Sequence, residues 1–201
     1  MAGEFEIIDE NSPSAAEIVA NLTDPKDQRI CFALCVGIIA DGARFKSARK
    51  ETFQTLGRLM EYAKATYPDL LHYAEPEPKS EAKLSILKSL QNLDYRFESG
   101  YFIATSEAKS NESDIATIIT EAADVAFVAK WVDETNETRV GARARKSVQI
   151  PMNEVMSIAA KLTGGAGGGH PKASGGAFKC HTKEALDLCI ETFIKLANEK
   201  K

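Results

Sequence analysis

Fifteen residues, Gly164 to Phe178, read Gly-Gly-Ala-Gly-Gly-Gly-His-Pro-Lys-Ala-Ser-Gly-Gly-Ala-Phe. They hold seven of the chain's 13 glycines and one of its 3 histidines. Glycine lets a ligand approach the main chain closely. Successive free N–H groups form a concave nest that suits an anion. A histidine beside such a nest, here His170, can donate to a phosphate oxygen or act as an acid. A flexible linker is the plain alternative. Linkers, however, are rich in glycine and serine without a fixed histidine, and apolar-periodic segments flank this stretch on both sides. A second group lies upstream in Arg139-Val140-Gly141-Ala142-Arg143-Ala144-Arg145. On a strand, the period of two puts Arg139, Arg143 and Arg145 on one face. Guanidinium groups offer a rigid fork to phosphate oxygens.

The charge distribution supports a small anionic ligand. From Arg139 to Lys183 there are eight basic residues and one acid, Glu154, so the segment is +7 and the rest −11 within a total of −4. A local basic field in an acidic protein fits a small anion and argues against broad duplex binding. At 201 residues with 44% hydrophobic content, the chain is one large or two small globular domains. No apolar run is long enough to span a bilayer. Cys31, Cys35, Cys180 and Cys189 lack zinc spacing and read as structural residues. Together these features favour the cytoplasm.

The elements that position these groups follow from pattern. Phe5 to Asp9 reads as a short strand. Ser14 and Glu17 form a capping box for a helix over 15–22. An apolar helix covers 26–39, and Ser47 caps a helix to about Ala65 with Phe53, Leu56, Leu59, Met60 and Ala63 inward. Tyr67-Pro68-Asp69 stops it. Glu75-Pro76-Glu77-Pro78-Lys79-Ser80 reads as a linker. Beyond it come a helix over 81–90, a strand pair or one bent strand over 95–105, and a helix from Ser113 to Ala122. Strands follow at 125–132 and 138–145, then a helix from Pro151. The glycine loop ends that helix. A strand over 175–180 and a helix over 182–197 complete the chain.

Gly167-Gly168-Gly169-His170-Pro171-Lys172-Ala173-Ser174-Gly175 resembles the GGGH motif of the C-terminal domain of DHH-family phosphoesterases, RecJ-like or oligoribonuclease-like, with Ser174 at a position that is usually alanine. Arg139 to Arg145 resembles the family's Arg-Val-Ser-x-Arg-Ser substrate-binding segment, with Gly141 and Ala144 in place of the serines. Gly37-Ile38-Ile39-Ala40-Asp41 resembles the family's fourth motif, whose aspartate ligates a divalent-metal pair. Asp9 to Glu17 is similar to the segment that follows the Asp-His-His triplet. The earlier motifs, which carry most metal ligands, are missing from this sequence. One aspartate cannot hold a metal pair.

The resemblance implies an α/β protein. Residues 1–74 would be the rear part of a DHH catalytic domain, 75–80 a linker, and 81–201 a smaller α/β domain with a mixed sheet that binds substrate. The implied substrate-binding residues are Arg143, Gly167, Gly168, Gly169 and His170, with Arg139, Arg145 and Lys172 as further candidates and Asp41 as a metal ligand. No catalytic set is complete. The expected cofactor is manganese in the intact family protein, with none held by this chain. The chain is read as a fragment beginning just after the triplet, and inactive alone. The expected partner is a short oligonucleotide or nucleotide, with no membrane; a homodimer is left open. The alternative is a non-catalytic nucleotide or single-strand binding module that has lost the metal motifs.

Overall fold

The computed structural model describes residues 6–41, 45 and 47–199. The chain divides into two compact units, Met1–Glu77 and Pro78–Lys201. Each has its own core.

The first unit is helical over its described residues: α1 (Ala15–Thr23), α2 (Gln28–Asp41), α3 (Lys50–Ala63) and α4 (Tyr67–Ala74). The expected strand at its start is not formed over residues 6–9, and Phe5 lies outside the described residues. Ile7 and Ile8 are exposed there, with no partner strand to bury an alternating face. Ser14 caps α1 by accepting from the Glu17 amide at 3.1 Å. The Glu17 side chain does not reach back to close the expected box. It is buried, and accepts from Thr52 Oγ1 at 2.7 Å and Arg49 Nη2 at 3.3 Å. A buried carboxylate persists only when it is paired in this way. Cys31, Cys35 and Ile38, at helical spacing on α2, pack with Leu56 and Leu59 of α3. Burial pushes the Cys35 thiol up to about 11, which keeps it a neutral core group.

Further expectations fail in this unit. The cap of α3 is Arg49 rather than Ser47, and Phe53 is exposed because the inward stripe runs through Thr52, Leu56 and Leu59. Tyr67-Pro68-Asp69 starts a helix instead of stopping one. Proline is tolerated in a first turn, where its missing N–H is not needed. Thr66 and Asp69 cap each other's backbone reciprocally, which fixes the start of α4.

The second unit is α/β. It runs α5 (Ser80–Gln91), β1 (Asp94–Glu98), β2 (Tyr101–Glu107), α6 (Glu112–Ile119), β3 (Val125–Val132), β4 (Glu137–Ala144), α7 (Met152–Leu162), β5 (Ala166–His170), β6 (Ala173–Phe178) and α8 (Thr182–Glu199). The six strands form one mixed sheet in the order β1-β2-β3-β4-β6-β5. Only β2 and β3 are parallel, and α6 lies between them in sequence as their crossover. β1 and β2 form a hairpin, because Ser99 and Gly100 both take positive φ, the turn that matches strand twist.

The sheet has two unlike faces. One carries Ile103, Val125, Phe127, Val140, Ala142 and Phe178 and is buried under α7 and α8. The other carries Ala104, Ala126 and Val128 and packs against Ile115, Ala116 and Ile119 of α6. The alternation of β3 between these two sets explains why it is apolar throughout.

The glycine stretch is not a loop. It is a β-hairpin, with β5 and β6 joined by the two-residue turn Pro171-Lys172. Glycine has poor strand propensity, so tertiary packing imposes the strands. The turn is pinned at both ends: the Pro171 carbonyl accepts from the Met152 amide at 2.9 Å and the Lys172 carbonyl from the Ala144 amide at 3.0 Å.

Candidate functional site

Cross-strand register decides which residues meet. Arg143 of β4 pairs with Ala173 of β6, and Ala173 with His170 of β5. Directly paired residues share a sheet face, so Arg143, Ala173 and His170 form one row. The next rows on the same face are Gly141, Gly175 and Gly168, then Arg139, Ala177 and Ala166. Strands lie about 4.8 Å apart, so Arg143 and His170 are on the order of 10 Å apart at the backbone. Between the basic rows lies a floor of three glycines. A Cβ built on Gly168 would meet nothing within 4 Å, and one on Gly175 would touch only the Val140 carbonyl at 3.4 Å.

One end of this floor is closed by α6. A Cβ on Gly141 would lie 3.3 Å from the backbone of both Glu112 and Ser113, so the first turn of α6 rests directly on that glycine. Glu112, Ser113, Arg139, Gly141, Gly175 and Ala177 line a cleft of about 230 Å³ there. Arg143 is half-buried. It donates from Nη2 to Ser113 Oγ at 3.2 Å and from Nη1 to its own Ala142 carbonyl at 2.9 Å. Burial lowers its pKa from the usual arginine range, and the Asp114 carboxylate opposes that shift. An arginine so placed remains a cation with donors to spare.

The remaining candidates make contacts within the fold. Gly167 and Gly169 face away from the floor. A Cβ on Gly167 would fall 2.3 Å from the Met156 carbonyl of α7, so this glycine serves helix–sheet packing. The expected nest of successive free amides is absent. In the antiparallel ladder alternate amides of β5 turn to β6, and only the others face outward. Arg145 lies beyond β4 and donates to the carbonyls of Thr120 and Glu121, tying down the end of α6. Lys172 donates to the Val148 carbonyl. Ser174, the departure from the family's alanine, donates to the His170 carbonyl at 2.7 Å and fixes that residue's backbone. Of the other histidines, His72 of the first unit packs edge-on to Tyr73, and His181 stacks on Trp131 rather than joining the floor.

Asp41 is the exposed last residue of α2, and Gly42 to Arg44 after it lie outside the described residues. Among the described residues no three His, Cys, Asp or Glu side chains come together as a metal site. The described residues therefore do not fit a divalent-metal pair, which needs several oxygen or nitrogen ligands. Gly168 is marked in the sequence, but its alignment with Gly175 and Gly141 and the contact of Ser113 with Arg143 are not. The start of α6 is visible there, but its seat on Gly141 is not.

A mixed-sheet α/β domain with one open face bordered by basic side chains is the class that fold and site define. Residues 99–199 match the DHHA1 domain family, just over half of the 201-residue chain. The chain belongs to that family. It is 32% identical over 209 residues to the uncharacterized protein MJ0988 of Methanocaldococcus jannaschii, which takes in 96% of this chain and 62% of that protein. The fold is similar to that of an exopolyphosphatase-related protein from Bacteroides fragilis, with a TM-score of 0.79 at 15% identity over 98% of this chain and 60% of that one. The chain thus spans about three-fifths of the length of these relatives. No helix among the described residues is long and apolar enough to cross a membrane.

Proposed function

We propose that this chain is the substrate-binding part of a metal-dependent DHH-family phosphoesterase, RecJ-like or oligoribonuclease-like, that acts on short oligonucleotides or nucleotides. Residues 1–74 are read as the rear of the catalytic domain and 81–201 as the binding domain. The observation that carries the reading is the shared row of Arg143 and His170 beside the glycine floor. The Arg143 fork takes two phosphate oxygens. His170 donates to a third. Gly175 and Gly168 present bare peptide, so a sugar or base can lie flat against the sheet. Arg139, across the floor, offers a second cation to a neighbouring phosphate. Hydrolysis itself belongs to the metal-bearing part of the intact protein, which the described residues do not form.

The test is calorimetric titration of the chain with a mononucleotide and a short oligonucleotide in chelator. Binding without metal is expected, and its complete absence would sink the reading. The same chain with added manganese is expected to turn over neither a chromogenic phosphodiester nor a short oligonucleotide. Turnover lost on Asp41→Ala would overturn that expectation. A second reading, a non-catalytic binding module, is favoured by the exposed, isolated placement of Asp41. Failure of the intact protein to hydrolyse any short oligonucleotide or nucleotide would decide for it.

A further inference from the structure

A second cleft of the second unit, about 810 Å³, lies on the far side of the loop that leads into α6. Its wall is Ser85, Lys88 and Ser89 of α5, at helical spacing, and Asn92, which caps the end of that helix. Lys109 and Ser110 follow β2, Trp131 and Asp133 close β3, and Thr182 opens α8. The acids that line it are Glu81, Glu107 and Asp133. Glu107 accepts from Thr182 Oγ1 at 2.7 Å and Asp133 from Trp131 Nε1 at 2.9 Å. Lys88 and Lys109 are exposed and form no ion pair among the described residues. The two serine hydroxyls are spent on the wall itself, since Ser85 donates to the Ser110 carbonyl and Ser89 to the Glu107 carbonyl. The rim is therefore held rigid.

Trp131 is the chain's only tryptophan. His181 stacks on it at 4.7 Å between ring centroids, 22° from parallel. One ring face is thus covered, and Trp131 offers its remaining surface to the cleft. A rigid aromatic with two mobile cations nearby is how proteins hold single-stranded nucleic acid without reading its sequence.

The cleft is close to the glycine floor. Ser110 lines the cleft while Glu112 and Ser113 line the floor. Two or three residues of chain span on the order of 10 Å. On β3 the neighbours Lys130 and Trp131 point to opposite faces, Lys130 beside Arg139 and Trp131 toward the cleft. We infer that the cleft is an extension site for a single-stranded oligonucleotide: one end sits on the glycine floor, and a further nucleotide places its base against Trp131 and its phosphate between Lys88 and Lys109. The inference rests on the floor being the terminal phosphate site. It makes the chain discriminate strand length, which the floor alone cannot do.

The single tryptophan reports directly. Trp131 fluorescence and, for the affinities, calorimetric heat are followed as the chain and its variants are titrated with adenosine monophosphate and with an adenine pentanucleotide, at fixed salt and without metal. The pentanucleotide is expected to quench and to bind about tenfold more tightly than the mononucleotide. The mononucleotide is expected to bind without quenching. The Lys88→Ala, Lys109→Ala double variant should lose that tenfold advantage and keep mononucleotide affinity. Trp131→Phe should retain part of the advantage, since a smaller ring still stacks, and its melting curve separates misfolding from lost stacking. Equal affinity for both ligands, no quench and no effect of the lysines would overturn the inference and leave the floor untouched. Quench by the pentanucleotide with no mononucleotide binding would sink the floor, and with it the inference that one end of the strand sits there.

Discussion

Gly167→Ala is expected to lower the stability of the second unit by at least ~3 kcal/mol, whereas Gly168→Ala, one residue on, is expected to change it by less than ~1 kcal/mol. The two glycines lie on opposite faces of β5. A Cβ at Gly167 would sit 2.3 Å from the Met156 carbonyl oxygen and 2.6 Å from its carbon. These are backbone atoms in the middle of α7, so relief requires moving the helix, and α7 carries Met152, Val155, Met156 and Ala159 in the main core. At Gly168 the added methyl meets open space. Thermal melts of the two variants measure the difference, which corresponds to about 10 °C in Tm for a chain of this size. The same pair separates stability from binding. Gly168→Ala raises the floor between Arg143 and Arg139 and should weaken nucleotide binding in a protein that is otherwise intact. Equal destabilisation by both substitutions would mean that β5 does not pair with β6 in the register Gly167 to Gly176 and Gly168 to Gly175.

Arg143→Ala is expected to weaken binding of a mononucleotide tenfold to a hundredfold. A lost charge-assisted contact costs about 1.5–3 kcal/mol, which is that range in affinity. His170→Ala should act in the same direction. Ser113→Ala should have a smaller effect, because Ser113 only holds one Nη of Arg143 in place. Two controls keep the result specific. Lys183→Ala, at the start of α8 beside His181 and Glu184, removes one charge far from the row and should leave affinity unchanged. Arg145→Ala removes the guanidinium that ties the end of α6, so it should appear in the melting curve more than in the titration. If Arg143, His170 and Lys183 variants all fall alike, the ligand senses diffuse charge only, and the row is not a site.

Much of the second unit could be read from pattern. β3 ends at the residues that its apolar run marks, and α5 and α8 begin within a residue of their expected starts. The β1–β2 pair was ambiguous because its turn depends on Ser99 and Gly100 both taking positive φ, which only the paired strands enforce. β5 was illegible for a different reason. Ala-Gly-Gly-Gly-His has no alternation and no β-branched residue, so nothing local points to a strand. Its conformation is dictated by β6 on one side and the α7 backbone beneath. In the first unit α4 was hidden by a proline that looked like a stop, although the Thr66–Asp69 capping pair was present in the sequence. The individual members Arg143 and His170 stood out by type. Their common row did not, because it requires β6 to lie between β4 and β5, a fact of topology rather than of spacing.

That strand order also governs how the site comes into being. Arg143 and His170 belong to strands separated in sequence by the whole of α7, and the strand that bridges them, β6, is the last of the three to leave the ribosome. The β5–β6 hairpin excised as a peptide contains His170 and two of the floor's three glycines, Gly168 and Gly175, but no arginine. The row exists only once β6 has closed against β4, a long-range pairing whose loop-closure entropy is lost before any contact offsets it. On the proposed function, a nucleotide would recognise the completed sheet and nothing earlier. It would stabilise the native state alone, in proportion to the logarithm of its concentration above Kd, and its occupancy would guard the one strand order that can bind it.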